Sequence, residues 1–323
     1  MKILIVGGAG YVGSALIPAL LERGYEVDVI DVKWFGVHLP EGVSVVDKDI
    51  MRCSTDDLDG YEQVIFLAGL SNDPMAEFDP AMNFESNGAV PSYLSYLAKE
   101  VGVRRIIYAS SCSVYGYTVN ELYDEDAPAV SSYPYGISKL QGERGVLQMR
   151  DERFSAIALR KGTISGHSPR MRFDLIVNTM YKCCIEDNKI TINNPSLWRP
   201  ILDMRDAVSG YLRAIQADYS ISGIFNIASD NYTVGQVGDK VKEKMEKLLD
   251  RKIDLELKNI QDYRNYKVEI AKARTVLGFE PSYDISDMVD DLHAHRDLYG
   301  DLDADGYYNI RVFRKLHGSP PQG

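Results

Sequence analysis

The chain has 323 residues, of which 45% are hydrophobic and 26% charged, and its formal net charge at pH 7 is −11. This acidic balance argues against binding along a nucleic-acid phosphate backbone, and no apolar run approaches the roughly 20 residues that span a bilayer. The four cysteines show no paired metal-ligand spacing, and adjacent Cys183 and Cys184 are poor disulfide partners. We therefore expect a cytoplasmic protein without a secretory signal, a metal site, a membrane segment or a nucleic-acid partner.

A strand, a glycine turn and a helix are predicted at the beginning of the chain. Residues 1–6 form a short apolar run, and three glycines follow it with the spacing G-x-x-G-x-x-G. The first permits a tight turn, the second lets backbone N–H groups approach a pyrophosphate, and the third lets the helix pack on the strand. A glycine-rich turn without a ligand is the alternative. The predicted cofactor contacts are Gly7, Gly10, Tyr11, Val12 and Gly13.

The second predicted strand, residues 25–31, ends in an acid. Asp31 follows Gly13 by 18 residues, close to the distance at which a carboxylate binds the adenosine ribose hydroxyls of a dinucleotide. Such a carboxylate would repel a 2′-phosphate, so the pattern favours NAD over NADP. Lys33 lies close enough in sequence to soften this preference.

Short apolar runs at 43–46, 63–69 and 104–109 alternate with helical segments such as 93–100, a pattern typical of parallel βαβ units. Farther on, helices are predicted near 173–187, 206–216 and 233–250, with short strands such as 224–227 between them. The predicted fold is α/β: a Rossmann-type doubly wound parallel sheet and a smaller α/β C-terminal substrate lobe. We place the first at 1–165 with later segments such as 200–217 interleaved, the second at 166–315, and a flexible tail at 316–323.

Two polar segments that follow the fifth strand can carry chemistry. Ser110 and Ser111 end that strand, and Tyr135 and Lys139 come about two dozen residues later. A tyrosine and a lysine four apart lie on one face of a helix. Lowering a tyrosine pKa from about 10 toward 7 takes roughly 4 kcal/mol, which a nearby ammonium and a nicotinamide charge can supply. The pair is therefore a candidate general base near neutral pH.

Together these motifs resemble the extended short-chain dehydrogenase/reductases, in particular their nucleotide-sugar epimerase/dehydratase group. The resemblance covers most of the chain. It rests on the glycine turn, Asp31, the pair Asp49-Ile50, the serine segment 110–116, and Tyr135 with Lys139. In the second half, residues 198–206, 262–264 and 277–281 look like the substrate-region and C-terminal motifs of that family.

The resemblance implies a role for each matching position. Tyr135 is expected to be the catalytic base, Lys139 to bind the nicotinamide ribose and lower the pKa of Tyr135, and Ser111 to hydrogen-bond the reacting sugar hydroxyl. The further NAD contacts are Asp49, Ile50, Ala68 and Gly69. The substrate-binding positions are Asn87, Ser111, Ser113, Thr163, Arg199 and Arg264. The two arginines match ones that clamp a substrate diphosphate, and for each a surface ion pair is the alternative.

Departures from the family pattern narrow the reaction. Cys112 and Ser113 stand where the family's dehydratases carry Asp-Glu, and its decarboxylases usually keep a glutamate at the position of Ser113. Both reactions are therefore disfavoured. No histidine lies near Cys112 in sequence, so we expect a small buried thiol there and not a nucleophile. Thr163 replaces an asparagine that touches the substrate in many epimerases.

The predicted function is NAD-dependent epimerisation at C4 of a nucleotide-diphosphate sugar through a transient 4-keto intermediate. One alternative is a nucleotide-sugar 4-keto reductase or C4 dehydrogenase, which consumes or produces reduced cofactor. Another is a non-catalytic dinucleotide sensor. The resemblance also implies a homodimer formed by the helix that contains Tyr135 and the helix that begins near Tyr93. The nucleotide and the sugar stay open.

Overall fold

The computed structural model describes residues 1–259 and 264–318, and within them fourteen strands and ten α-helices. The strands are β1 Lys2–Val6, β2 Glu26–Asp31, β3 Ser44–Asp47, β4 Gln63–Phe66, β5 Arg105–Ser111, β6 Tyr117–Tyr123, β7 Ser155–Lys161, β8 Thr163–Ser165, β9 Lys189–Asn193, β10 Trp198–Asp203, β11 Gly223–Ile227, β12 Asp230–Thr233, β13 Asp254–Lys258 and β14 Asn265–Val268. The helices are α1 Tyr11–Leu21, α2 Asp73–Phe78, α3 Pro80–Phe84, α4 Val90–Glu100, α5 Pro134–Gln148, α6 Ile176–Glu186, α7 Met204–Gln216, α8 Val234–Leu249, α9 Ile285–Ala294 and α10 Asn309–His317. Two π-helical turns lie at Glu85–Ala89 and Ala273–Leu277.

Seven parallel strands form the large sheet, in the order β3-β2-β1-β4-β5-β7-β11. From β1 the chain adds β2 and β3 on one side of the sheet, and then β4, β5, β7 and β11 on the other side. The direction in which strands are added therefore reverses between β1 and β4. In open α/β sheets, ligands bind beyond the carboxyl ends of the strands at such a switch point. The topology therefore places a binding crevice above β1 and β4.

Side chains of alternate strand residues divide the core into two layers. Ile3 and Ile5 of β1 face α1 and α7, while Leu4 and Val6 face the layer that contains α4 and α5. All four are fully or almost fully buried. Burial on both faces explains why these strands are continuous apolar runs without polar alternation.

Three smaller sheets lie outside the large one. β8, β10 and β12 form the first, and β9 pairs with β13 and β6 with β14 in two-stranded sheets. Helix α6 packs against α8 and α9, and these helices share one hydrophobic cluster with α1 and α7. The second half of the chain therefore forms one wall of the crevice beside the large sheet.

The predicted Rossmann-type sheet is confirmed, and each predicted strand and helix named above forms with small differences at its ends. The strand predicted at 224–227 lies at the edge of the large sheet beside β7, although the sequence analysis assigns it to the smaller lobe. Residues 316 and 317, predicted as part of a flexible tail, end helix α10. Residues 319–323 of that tail lie outside the described residues.

Candidate active site

A cleft of about 820 Å³ lies at the carboxyl ends of the large sheet. It is lined by the predicted cofactor residues Gly7, Gly10, Tyr11, Val12, Gly13, Asp31, Asp49, Ile50, Ala68, Gly69, Tyr135 and Lys139. The predicted substrate residues Ser111, Ser113, Thr163, Arg199 and Arg264 line the same cleft. The fold thus brings together residues that are as far apart in sequence as Gly7 and Arg264.

The glycine turn leaves the first N–H groups of α1 open to a ligand. Gly7 has φ +83° and donates its N–H to the carbonyl of Ile30 at 2.8 Å. Helix α1 begins after Gly10 with no side-chain cap and no acid in its first turn. A Cβ on Gly7 would lie 2.4 Å from the backbone nitrogen of Ala68, and one on Gly13 would lie 2.2 Å from the carbonyl oxygen of Gly8. These uncapped N–H groups and the helix dipole form a site for a diphosphate.

Asp31 is held in the cleft by the backbone around it. One carboxylate oxygen accepts the N–H of Ala9 at 3.0 Å, and the other accepts the N–H of Lys33 at 2.7 Å. Burial raises the pKa of Asp31, while these two N–H groups oppose the rise. The ammonium of Lys33 pairs with Asp47 at 3.8 Å. Lys33 therefore does not offset the repulsion between Asp31 and a 2′-phosphate, and the site fits NAD.

Tyr135 and Lys139 lie one turn apart near the start of α5, and Ser111 is close enough to Tyr135 to act on its pKa, which it lowers. The Lys139 nitrogen is 5.9 Å from the centre of the Tyr135 ring. Burial raises the pKa of Tyr135, and burial together with Lys161 holds the pKa of Lys139 well below its ordinary value. In the protein alone, desolvation of Tyr135 outweighs the charges nearby, so the predicted lowering of its pKa depends on the nicotinamide charge as well as on Lys139 and stays a prediction.

The serine segment separates into two faces. Ser111 accepts the N–H of Ser113 at 3.2 Å and the hydroxyl of Ser113 at 2.9 Å, and both serines line the cleft. Ser110 points the other way and donates to Glu143 at 2.6 Å. Cys112 is 1% exposed, its sulfur lies 3.1 Å from the carbonyl oxygen of Arg160, and burial raises its pKa. The prediction that this thiol is buried is confirmed, and the expectation that it is not a nucleophile stays a prediction.

A buried ion pair fixes the strands beneath these serines. Arg160 of β7 binds Glu143 of α5 through two nitrogens, at 2.6 and 2.9 Å, and Glu143 also accepts from Ser110. Both charged side chains are almost completely buried. The pair joins β5, β7 and α5 where Ser111 and Tyr135 meet, so it positions the reacting groups without touching the cleft.

Lys161 is a cleft residue that the sequence analysis does not predict. In the register between β5 and β7, Ser110 pairs with Arg160 and Ser111 pairs with Lys161. Because consecutive residues of a strand point to opposite faces, the side chain of Lys161 leaves β7 on the face opposite to that of Arg160. Its nitrogen lies 5.8 Å from the ring centre of Tyr211. Burial, with Arg172 nearby, lowers the pKa of Lys161 to about 8. Adjacent charges at the end of an otherwise apolar strand were the signal available in the sequence.

Asn87 does not line the cleft, contrary to its predicted contact with substrate. It is fully buried and donates to the carbonyl of Leu70 at 2.8 Å and to Asn83 at 2.9 Å. A Cβ on Gly69 would lie 2.0 Å from the Asn87 side-chain oxygen. Asn87 sits in the π-helical turn Glu85–Ala89 and supports the Gly69–Leu70 segment from below.

The two arginines predicted to clamp a diphosphate lie on the far wall of the cleft. Arg199 donates to the carbonyls of Trp198 and Arg264, and its guanidinium is 5.6 Å from the centre of the Tyr266 ring. Arg264 forms an ion pair with Asp73 at 2.5 Å. Arg264 therefore forms an ion pair, as the alternative interpretation expected, but this pair lies in the cleft and not on the outer surface. Asp262 and Tyr263 of the same motif lie outside the described residues.

A second arginine group, absent from the predictions, lies between these walls. Arg172 binds Asp174 through two nitrogens, at 2.8 and 3.0 Å. Arg170 lies two residues earlier, and all three side chains line the cleft.

Within residues 1–259 and 264–318, no cluster of His, Cys, Asp and Glu could hold a metal ion. No helix in the same ranges is both long and apolar enough to cross a bilayer.

Comparisons with known proteins agree with this geometry. The sequence model of the NAD dependent epimerase/dehydratase family matches residues 3–228. A UDP-glucose 4-epimerase from Bacillus subtilis is 25% identical over 328 aligned positions, which cover 90% of this chain and 95% of that protein. UDP-glucuronic acid decarboxylase 6 from Arabidopsis thaliana is 27% identical, with coverages of 87% and 84%.

Solved structures share the fold. The UDP-glucuronic acid 4-epimerase from Bacillus cereus, solved in complex with UDP-glucuronic acid and NAD, superposes with a TM-score of 0.80 at 23% identity. The superposition covers 93% of this chain and 100% of that one. At this identity the match supports the fold alone.

Proposed function

The chain belongs to the NAD-dependent epimerase/dehydratase family, and we propose that it epimerises a nucleotide-diphosphate sugar at C4 through a transient 4-keto intermediate. The protein is an NAD-dependent enzyme of the extended short-chain dehydrogenase/reductase type. NAD, when bound, supplies the acceptor and donor of two electrons. The glycine turn would hold its diphosphate and Asp31 its adenosine ribose, with Tyr135 and Lys139 at the nicotinamide end.

The placement of Tyr135 and Ser111 together on the cleft wall carries the proposal. Two hydroxyl groups in this arrangement can bind one substrate hydroxyl between them. Ser111 would orient that hydroxyl, and Tyr135 would take its proton as the carbonyl forms and return it when the alcohol is restored. The ammonium of Lys139 and the positive nicotinamide would favour the phenolate and oppose the effect of burial.

The residues after Ser111 favour epimerisation over elimination. Cys112 is buried against the carbonyl oxygen of Arg160, and Ser113 presents a hydroxyl to the cleft. Neither can act as a carboxylic acid toward a leaving hydroxyl or a carboxylate. A decarboxylase is among the relatives, so decarboxylation is a named outcome of the test below.

The test is turnover of purified protein with UDP-, dTDP-, GDP- and CDP-hexoses and with UDP-glucuronate. We expect a C4 epimer, detected by NMR, without net change in the absorbance of reduced nicotinamide. Net formation or loss of reduced cofactor would establish the 4-keto reductase or dehydrogenase alternative. Release of carbon dioxide from UDP-glucuronate would establish decarboxylation. Binding of NAD without turnover of any of these sugars would leave a dinucleotide sensor.

A tyrosine pair supplies the matched control. Tyr135→Phe removes the proposed base, and we expect turnover to fall about 10²–10⁴-fold while NAD stays bound. Tyr117→Phe makes the same change on an exposed ring and should leave turnover unchanged. Full activity in Tyr135→Phe would contradict the assignment.

We also propose a homodimer in which α4 and α5 meet the same helices of a second copy. The two helices pack against each other. Tyr93 and Tyr96 on α4 are about half exposed, with relative accessibilities of 49% and 48%. Two exposed aromatic rings one turn apart form an apolar patch of the kind that protein interfaces use.

A further inference from the structure

The loop after β8 packs directly onto the start of α1. The hydroxyl of Tyr11 donates to the carbonyl of Gly166 at 2.6 Å, and the hydroxyl of Ser168 donates to the carbonyl of Tyr11 at 2.7 Å. Arg170 follows two residues later and lines the cleft. The loop therefore brings this arginine beside the glycine turn, at the end of the cleft where the N–H groups of α1 are open.

Arg170 is a buried cation with incomplete partners. It is 2% exposed, and one terminal nitrogen donates to the Asn309 side chain at 2.5 Å and to the carbonyl of Gly306 at 3.5 Å. Its guanidinium lies 3.9 Å from the centre of the Phe35 ring. The Nε–H group has no hydrogen-bond partner.

The charge of Arg170 is also left without an ion pair. Among the residues the structure describes, no carboxylate lies within 4.0 Å of its guanidinium, whereas neighbouring Arg172 is paired with Asp174. Burial, with Arg172 nearby, lowers the pKa of Arg170 to about 9. A buried cation with an orphaned donor is costly unless an anion completes it.

We propose that Arg170 binds the diphosphate bridge of NAD, opposite the N-terminal N–H groups of α1. A guanidinium matches the oxygens of a phosphate, and Nε and Nη1 of Arg170 are the nitrogens not engaged by Asn309 and Gly306. The inference rests on the NAD cofactor of the family and does not depend on the reaction at C4. Asp31 would bind the adjacent ribose, so a phosphate at the 2′-position of that ribose is the other source of the same chemistry.

The C-terminal helix would then be part of the cofactor site. Asn309, the first residue of α10, holds the guanidinium of Arg170 and donates its side-chain N–H to Ser71 at 2.6 Å. Phe313 of the same helix contacts Trp34 and Phe78, with ring centres 5.5 and 5.6 Å apart. Helix α10 therefore bridges the loop after β2 and helix α2. It lies outside residues 3–228, which match the family, and Asn309 is a positioning residue for Arg170.

Binding assays on the full chain test this without any sugar substrate. We expect Arg170→Met to weaken the binding of NAD and of ADP-ribose at least tenfold. The affinity for adenosine, which has no phosphate, should stay unchanged. Arg170→Lys should recover part of the loss. Arg23→Met, a change at an arginine just beyond α1 that donates to the carbonyl of Ala19, is the matched control and should bind like the parent. Asn309→Ala should weaken the binding of NAD severalfold. Added to Arg170→Met, the same change should weaken NAD binding no further, because Asn309 acts through Arg170.

Three results would overturn the proposal. Equal losses for adenosine and NAD would show that Arg170 supports the fold of the cleft. Unchanged affinity for NAD in Arg170→Met would remove the contact altogether. A loss confined to NADP would place the guanidinium at the 2′-position. If Arg170→Met does not fold by circular dichroism, Arg170→Lys and Asn309→Ala carry the same comparison. Turnover is not measured, so failure here is distinct from failure of the C4 reaction.

Discussion

Three glycines near the start of the chain differ in why a larger residue would be unfavourable: backbone strain, close packing, or both. Gly7 combines both, because its φ is +83° and a Cβ would lie 2.4 Å from the nitrogen and 2.5 Å from the Cα of Ala68. Gly13 has close packing alone, with a Cβ 2.2 Å from the carbonyl oxygen of Gly8. Gly24 has strain alone, since its φ is +75° and nothing lies within 4 Å. Alanine at Gly13 or at Gly24 therefore isolates one cause, and alanine at Gly7 combines the two.

The expected losses of stability follow from these geometries. A left-handed backbone costs an alanine about 1–2 kcal/mol, and alanine recovers about 0.4–1 kcal/mol by restricting the unfolded chain. Overpacking against atoms that cannot retreat costs about 1–3 kcal/mol. We expect Gly24→Ala to lose about 0–1.5 kcal/mol, Gly13→Ala about 0–2.5 kcal/mol, and Gly7→Ala about 1–4.5 kcal/mol.

Urea unfolding followed by tryptophan fluorescence measures the three values, and titration with NAD measures the site. Gly7 and Ala68 both line the cleft, so Gly7→Ala should also weaken NAD about tenfold or more, as the turn moves away from the end of β4. Gly24 ends the turn after α1, far from the cleft, and its variant should bind NAD like the parent. The reasoning is refuted if Gly7→Ala is no less stable than Gly24→Ala, or if Gly24→Ala weakens NAD as much.

Three further predictions concern charge and assembly. The pKa of Lys161 is about 8 in the fold against an ordinary 10.5, so below pH 8 the fold holds an unfavourable ammonium, and stability rises as pH increases from about 8 to 10.5. Lys161→Met should raise the thermal midpoint at pH 7, which corresponds to a gain of about 1–3 kcal/mol in the free energy of unfolding. The gain should be much smaller at pH 10.5, and an equal gain at both pH values would contradict this prediction. Glu143→Gln should lose about 3–5 kcal/mol in urea unfolding by leaving Arg160 uncompensated, and a loss under about 1 kcal/mol would count against it. Tyr93→Glu with Tyr96→Glu should give a monomeric mass by light scattering at micromolar concentration, and a persisting dimer would exclude this interface.

Local patterns determined the cofactor half of the site. The apolar run 2–6, the glycine spacing and Asp31 are close in sequence, and their geometry follows from strand, turn and helix rules alone. Tyr135 and Lys139 share a face because four residues are about one helical turn. Such features depend on neighbours along the chain, so they could be read before the fold was known. The family resemblance added residues at strand ends, and these line the cleft as well.

Tertiary structure decided the rest. Asn87 lies in a π-helical turn, which changes the face that a helical residue presents, so its spacing could not show that it supports Gly69 from below. Lys161 and Arg170 enter the cleft from a strand and a loop far from the glycine turn. The direction of the Tyr135 pKa shift depends on how completely α5 and its neighbours exclude water. Burial and long-range charge come from the packing of distant segments, and no local pattern in the sequence records how those segments meet.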